Sequence, residues 1–199
     1  NNGNGFAQWY PAPQAVTVSG FDFFAWVAPT NYTGPISVTC NLYNAGADSM
    51  PTGSPVRTVT VAVDSSFGGG MLSVLKRTAF FTSPYTTSSP YVITIENTST
   101  TGVSIVANNW SATGGGNGKA EWLSSVRFGT NWIRSYNVNV SSVTFDADFI
   151  FLPYVEYSIT AGFTVSSNCV SNNGTINFTF TSSSLLNSKF YNKCVYFNI

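Results

Sequence analysis

Apolar and polar residues alternate along most of the chain, and this period of two is the feature that most restricts the possible fold. Successive side chains of a β-strand point to opposite faces, so each alternating segment predicts a strand with one apolar face. No segment shows an apolar face with the period of an α-helix over several turns. The clearest alternating sets are Ile36, Val38, Cys40 and Leu42, then Val59, Val61 and Val63, then Tyr91, Ile93 and Ile95.

Short segments rich in glycine, proline, asparagine and serine separate the predicted strands. The clearest of them are 29–31, 51–55, 68–70, 88–90 and 114–118. Glycine and proline favour tight turns because they adopt the backbone angles that turns require. Many short strands joined by such turns are typical of an antiparallel sandwich. The sequence therefore predicts an all-β fold, with a jelly-roll-like antiparallel β-sandwich over residues 1–157.

The pattern changes after Tyr157. Acidic residues end at Glu156, and a new set of predicted strands follows in residues 158–199. This segment is much shorter than the roughly 100 residues of a complete immunoglobulin-like sandwich. We therefore expect a second, partial β domain over residues 158–199. Three alternatives stay open for it: a domain cut from a longer protein, a fold completed by a strand from another chain, or a hairpin that packs on the first domain.

The three cysteines fall into two groups. Cys40 lies on the apolar side of an alternating segment and is predicted to be a buried free thiol. Cys169 and Cys194 flank two predicted strands of the second domain. In a secreted protein this arrangement predicts a disulfide between Cys169 and Cys194.

Charge is scarce in this chain. Charged residues make up 8% of the sequence, with eight basic and eight acidic residues and a formal net charge of zero. A typical soluble domain carries about 25%. The chain has no basic stripe to neutralise phosphates and no polybasic segment for anionic lipid, so nucleic acid is not expected as a partner. It also lacks an apolar run of about 18 residues, so no membrane insertion is expected.

The sequence contains no histidine. This absence excludes Ser-His-Asp and Cys-His catalysis, histidine general bases and zinc sites built on histidine. We therefore predict a protein that is not an enzyme and has no catalytic residues.

Paired carboxylates are the remaining source of site chemistry. Asp146 and Asp148 lie two residues apart in a predicted strand, which places their side chains on one face roughly 7 Å apart. Three interpretations stay open: a solvated outer face, a structural Ca²⁺ site completed by loop carbonyls, or a catalytic pair. Apart from this Ca²⁺, no cofactor is expected. By strand parity, Asp22 faces the same way as Phe24 and Trp26.

Tryptophan side chains are the candidates for ligand binding. Trp26 lies in an apolar strand-like segment and is expected in the core, whereas others stand beside loops. Rings beside loops can stack on sugars while asparagine side chains donate hydrogen bonds, or they can close the ends of a sandwich. If a sugar site exists, the residues predicted to form it are Trp110, Asn117, Trp122, Asn131 and Trp132.

Two stretches resemble parts of known secreted proteins. Segment 40–56 contains a strand, a tyrosine, a short loop and a further aliphatic strand that follows the motif Pro51-Thr52-Gly53-Ser54-Pro55. It resembles repeated β-sandwich modules of large secreted Bacteroidetes proteins, the cargo of the type IX secretion system. Residues 161–165, followed by Cys169 and segment 176–181, resemble the opening strands of a PKD domain, which often follows in such proteins.

This resemblance implies an extracellular or cell-surface location. It also implies a role as a stalk, an adhesin or a carbohydrate-binding module, and gliding-motility adhesins are one such class. We therefore expect a non-catalytic structural or adhesive module of a large surface protein. Its expected partners are other domains of the same chain, and polysaccharide or other surface proteins. The alternatives are a carbohydrate-binding module of a secreted multidomain enzyme and a self-assembling capsid or pilus-like subunit.

Overall fold

A computed structural model describes residues 4–27, 34–64, 76–97, 102–107, 123–140, 143–144, 148–157, 161–165 and 178–182. These residues form fourteen β-strands and one 3-10 turn, Ser135–Asn137, and no α-helix occurs among them. No helix in the described part of the chain could cross a membrane. The strands are β1 (Asn4–Tyr10), β2 (Val16–Val27), β3 (Ile36–Ala45), β4 (Pro51–Val63), β5 (Lys76–Thr87), β6 (Tyr91–Asn97), β7 (Val103–Ile105), β8 (Ser124–Phe128), β9 (Asn131–Arg134), β10 (Asn139–Val140), β11 (Val143–Thr144), β12 (Phe151–Tyr157), β13 (Ala161–Val165) and β14 (Phe178–Ser182).

The chain divides into two compact units, Asn1–Tyr157 and Ser158–Ile199. In the second unit, β13 and β14 form an antiparallel pair that sets Phe163 opposite Phe180. The immunoglobulin- or PKD-like identity of this unit stays a prediction.

The first unit contains two main antiparallel sheets and the short antiparallel pair β10-β11. The large sheet has the strand order β4-β3-β6-β1-β8-β9, and the small sheet has the order β12-β2-β5 with β7 also paired to β2. From β1 to β8 the chain changes sheets at every step except the one from β3 to β4. The predicted all-β antiparallel sandwich is therefore confirmed, and its repeated crossing between sheets is jelly-roll-like.

The apolar faces of the two sheets form one core. On β3, Val38, Cys40 and Leu42 are fully buried, as their alternation predicts. Cys40 is a buried free thiol, which confirms that prediction, and burial raises its pKa.

In β2, the central strand of the small sheet, buried and exposed side chains do not alternate uniformly. Its core residues fall at even positions up to Val18 and at odd positions from Phe21 onward. The change coincides with register shifts between Val18 and Gly20 against both neighbouring strands. On the β12 side, the consecutive residues Val155 and Tyr154 pair with Val18 and Gly20, so β2 contains one extra residue here. One extra residue moves every later side chain to the opposite face.

This shift decides on which face of the small sheet Trp26 lies. The core positions at this end of β2 are Ala25 and Val27, so the half-buried Trp26 lies on the outer face of the small sheet. The prediction that Trp26 belongs to the core is wrong, because its apolar neighbours are the residues that point inward.

The edges of the two sheets are joined by Arg57 of β4. Its Nε donates to the Ser83 carbonyl at 2.8 Å and its Nη2 to the Pro84 carbonyl at 2.9 Å, both in β5. The guanidinium also lies over the Tyr85 ring, 5.3 Å from its centroid. These contacts occupy edge carbonyls that would otherwise be open to another strand.

Candidate functional site: the outer faces of the two sheets

The predicted sugar-site residues are only partly described. Asn131 and Trp132 begin β9, after a tight turn in which Gly129 has a φ of +64°. Consecutive residues of a strand point to opposite faces, so these two side chains do not share a surface. Asn131 is exposed and Trp132 is half-buried. Trp110, Asn117 and Trp122 lie outside the described residues.

Neither the predicted calcium pair nor the predicted disulfide lies wholly within the described residues. Asp148 is half-buried just before β12, whereas Asp146, Cys169 and Cys194 lie outside the described residues. Within the described ranges, no three potential metal ligands of the His, Cys, Asp and Glu types gather at one point. The calcium site and the disulfide therefore stay predictions.

A buried carboxylate organises the outer face of the large sheet. Glu96 Oε1 accepts hydrogen bonds from Asn41 Nδ2 at 2.9 Å, Tyr43 OH at 3.0 Å and Thr94 Oγ1 at 3.1 Å. Its Oε2 pairs with the Arg127 guanidinium. We call these five residues the Glu96 cluster. They come from the neighbouring strands β3 and β6 and from β8, which lies on the far side of β1.

Trp132 extends this cluster toward the edge of the large sheet. Its ring centroid lies 6.0 Å from the Arg127 guanidinium carbon. A Cβ atom on Gly5 would lie 3.0 Å from Trp132 Cη2, so the ring reaches across β8 and covers this glycine of β1. Trp132 therefore packs down on the sheet.

The Glu96 cluster has the chemistry of a structural site. Burial, together with the charge of Glu96 and the hydrogen bond to it, raises the pKa of Tyr43 to about 12, although Arg127 opposes this. Both oxygens of Glu96 are engaged by donors, so the carboxylate is not positioned to take a proton from a substrate.

A second carboxylate organises the outer face of the small sheet. Asp22 Oδ1 accepts from Thr78 Oγ1 at 2.6 Å. Asp22 Oδ2 accepts from Tyr154 OH at 2.7 Å and pairs with Lys76 Nζ at 2.6 Å. Three adjacent strands, β12, β2 and β5, supply these groups. Strand parity placed Asp22 on the same side as Phe24 and Trp26, but this side is the outer face and not the core expected for Trp26. The partners of Asp22 depend on the strand order.

Beside Asp22 lies an exposed apolar patch, which we call the aromatic surface. It consists of Phe80, Leu152 and Tyr154, which are 59%, 51% and 36% exposed. The Phe80 and Tyr154 rings stack with centroids 5.1 Å apart and planes inclined by 27°. No single sequence segment signals this patch, because its residues come from two strands that β2 separates.

Gly20 explains how these two rings meet. It pairs with Phe80 on one side and with Tyr154 on the other. A Cβ atom here would lie 2.3 Å from the Ala79 carbonyl oxygen and 2.9 Å from Phe80 Cδ1. A side chain at position 20 would therefore collide with the backbone of β5 and push the two rings apart.

The pH dependence of stability is expected to reflect Asp22. Burial alone would raise its pKa, but hydrogen bonds from Lys76, Thr78 and Tyr154 outweigh burial, and the pKa of this carboxyl is lowered. Since the folded pKa lies below the unfolded value of about 4, ionised Asp22 stabilises the fold above that pH, and this contribution is lost as the pH falls through the folded pKa. Asp22→Asn should therefore be about 1–2 kcal/mol less stable at neutral pH and should lose less on acidification.

Urea unfolding between about pH 7 and about pH 2.5 measures this effect. Glu156→Gln is the matched control, because Glu156 is an exposed carboxylate of β12. It should change stability by less than about 0.5 kcal/mol. Parallel pH profiles for the wild type and Asp22→Asn would contradict the prediction.

No protein-family model, curated protein or solved structure matches the chain. The resemblance to sandwich modules and PKD domains of secreted Bacteroidetes proteins therefore stays a prediction.

Proposed function

We propose that the chain is a non-catalytic, extracellular structural and adhesive module of a larger cell-surface protein. The observation that carries this proposal is the aromatic surface, where Phe80, Leu152 and Tyr154 stand exposed side by side on a sheet. Single exposed apolar side chains are common in soluble proteins, but contiguous exposed apolar patches often mark interaction sites. A rigid sheet that presents such a patch is suited to contact with another surface.

The non-catalytic part of the proposal is supported by the state of the polar groups. The sequence has no histidine. The carboxylates of Asp22 and Glu96 both accept hydrogen bonds on each oxygen, from the protein's own side chains. A general base needs an oxygen directed at a substrate proton, and these oxygens are directed at neighbouring residues.

The proposed partners are other domains of the same chain, surface polysaccharide and other surface proteins. With a net charge of zero, the chain has little long-range attraction for charged partners. Adhesion through the aromatic surface is therefore expected to depend only weakly on salt, because apolar contacts are not screened.

Bead adhesion tests the proposal. Beads coated with the chain should be retained under flow on polystyrene or glass, which carry no sugar, and retention should persist in about 0.5 M NaCl. A Phe80→Ala/Leu152→Ala variant should lose most of this retention. Thr82→Ala, which changes another exposed residue of β5, should keep it. If wild-type beads detach as readily as albumin-coated beads, the adhesive function is wrong.

The two alternative functions, a carbohydrate-binding module and a self-assembling subunit, predict different ligands for the aromatic surface. A carbohydrate-binding module would place a sugar there, whereas a self-assembling capsid or pilus-like subunit would place a second copy of the chain there. Sedimentation velocity separates the second from the first, because only self-assembly makes the sedimentation coefficient rise with protein concentration.

A further inference from the structure

We propose that the aromatic surface is a binding site for neutral carbohydrate. The apolar face of a sugar ring would stack on Phe80 and Tyr154, and its hydroxyl groups would meet the polar groups around Asp22. This inference rests on the proposed adhesive function and names the ligand class of the same surface.

The extent of the surface fits a small ligand. From the exposed fractions of Phe80, Leu152 and Tyr154, its apolar area is on the order of 300 Å². A stable protein interface buries about 800 Å² on each partner. The aromatic surface alone is therefore too small for a stable protein partner or for a second copy of the chain, whereas sugar rings fit it.

The charges beside the surface select a neutral ligand. Asp22 and Lys76 pair at 2.6 Å, so their charges largely cancel. The pair therefore offers little net charge to attract an anionic or a cationic ligand, and an uncharged ligand loses nothing by this.

The polar groups beside the rings match sugar hydroxyls. An ammonium has three donors, and the partly exposed Lys76 directs donors at Asp22 and at the Tyr154 hydroxyl. The Tyr154 hydroxyl in turn donates to Asp22. A sugar hydroxyl both donates and accepts, so it can accept from the remaining Lys76 donor.

The surface is also pre-organised. Tyr154 is held at one end by its hydrogen bond to Asp22 and along its ring by Phe80. Residues held in their binding geometry lose little conformational freedom when a ligand arrives, which favours affinity. The site belongs to the small sheet, whereas Asn131 and Trp132 of the predicted sugar site belong to the large sheet.

Binding of polysaccharides to the full chain tests the inference. Affinity electrophoresis would use neutral polysaccharides (dextran, mannan, laminarin and xyloglucan) and anionic alginate as the charged comparison. We expect at least one neutral polysaccharide to retard the wild type and alginate not to. Phe80→Ala should weaken that binding about tenfold, the loss of one stacking contact. Tyr154→Phe should weaken it less, because the ring remains and only its tether to Asp22 is removed.

Phe128→Ala is the matched control. Phe128 is 51% exposed, similar to Phe80, but it belongs to β8 of the large sheet. This variant should bind like the wild type. Circular dichroism and thermal unfolding should show both phenylalanine variants folded, since both side chains are exposed.

Three results would overturn the inference: no retardation by any neutral polysaccharide, equal retardation of wild type and Phe80→Ala, or a concentration-dependent dimer that Phe80→Ala dissolves. The adhesion assay separates this failure from failure of the proposed function. Beads that still adhere through Phe80 and Leu152, but bind no neutral polysaccharide, would leave adhesion standing and the ligand class wrong. Beads that do not adhere and do not bind sugar would end both proposals.

Discussion

Replacing Glu96 with leucine is expected to lower the free energy of unfolding by about 3–5 kcal/mol at neutral pH, the range for a broken buried ion pair. Leucine has a similar size but accepts no hydrogen bond. It would leave Arg127 without its counter-ion, and Asn41, Tyr43 and Thr94 without a shared acceptor. Buried donors without partners carry the full cost of their lost hydration.

The stability of Glu96→Leu is best compared with that of Arg127→Met, because the two partners of the ion pair differ in burial and in their remaining hydrogen bonds. Glu96 would keep three donors after this change, and the Arg127 side chain is more exposed than that of Glu96. We expect a loss of only about 1–3 kcal/mol. The double variant should lose less than the sum of the two single losses, since the residues interact directly. Urea unfolding measures all three, and a Glu96→Leu protein as stable as Arg127→Met would contradict the assigned network.

Replacing Phe21 with alanine is expected to be similarly damaging, at about 3–5 kcal/mol. Its fully buried ring lies at the centre of the small sheet's inner face. Its centroid is 5.7 Å from that of Phe23, 6.2 Å from that of Phe81 and 5.8 Å from that of Phe151. These contacts join β2 to both of its neighbours, so truncation leaves a cavity that three strands would have to close.

Phe80→Ala tests whether the faces are correctly assigned. Phe80 precedes the buried Phe81 but points outward from the same strand. Its truncation should change stability by less than about 0.5 kcal/mol. Thermal and urea unfolding of Phe21→Ala and Phe80→Ala measure the contrast. Similar losses in the two variants would show that the face turned to the core is wrongly assigned.

Local pattern was sufficient where a strand alternates without interruption. In β3, the alternation of Val38, Cys40 and Leu42 predicted the strand, its buried face and the burial of the Cys40 thiol. This prediction succeeds because the alternation comes from the extended backbone itself and does not depend on the neighbouring strands. The all-β class follows in the same way from the number of such segments.

Local pattern failed where the backbone is irregular. The register shift before Gly20 reverses the inward side of β2, and nothing in the apolar run that contains Trp26 reveals this reversal. Local pattern also could not predict the partners of the two carboxylates, because these partners lie far away in the sequence. Asp22 meets Tyr154 across 132 positions of sequence, and Glu96 meets Arg127 across 31.

Periodicity thus predicted many of the strands and, in regular strands, which side chains turn inward. It did not predict β1, and residues 51–55, which were predicted to be a turn, begin β4. The order and register of the strands decided which residues meet on the outer faces, including Phe80 and Tyr154 above Gly20. The physical reason is the range of the interactions. Alternation arises between residues adjacent in the chain, whereas strand order comes from packing two whole sheets against each other. Contacts across separated strands exist only once that packing is complete.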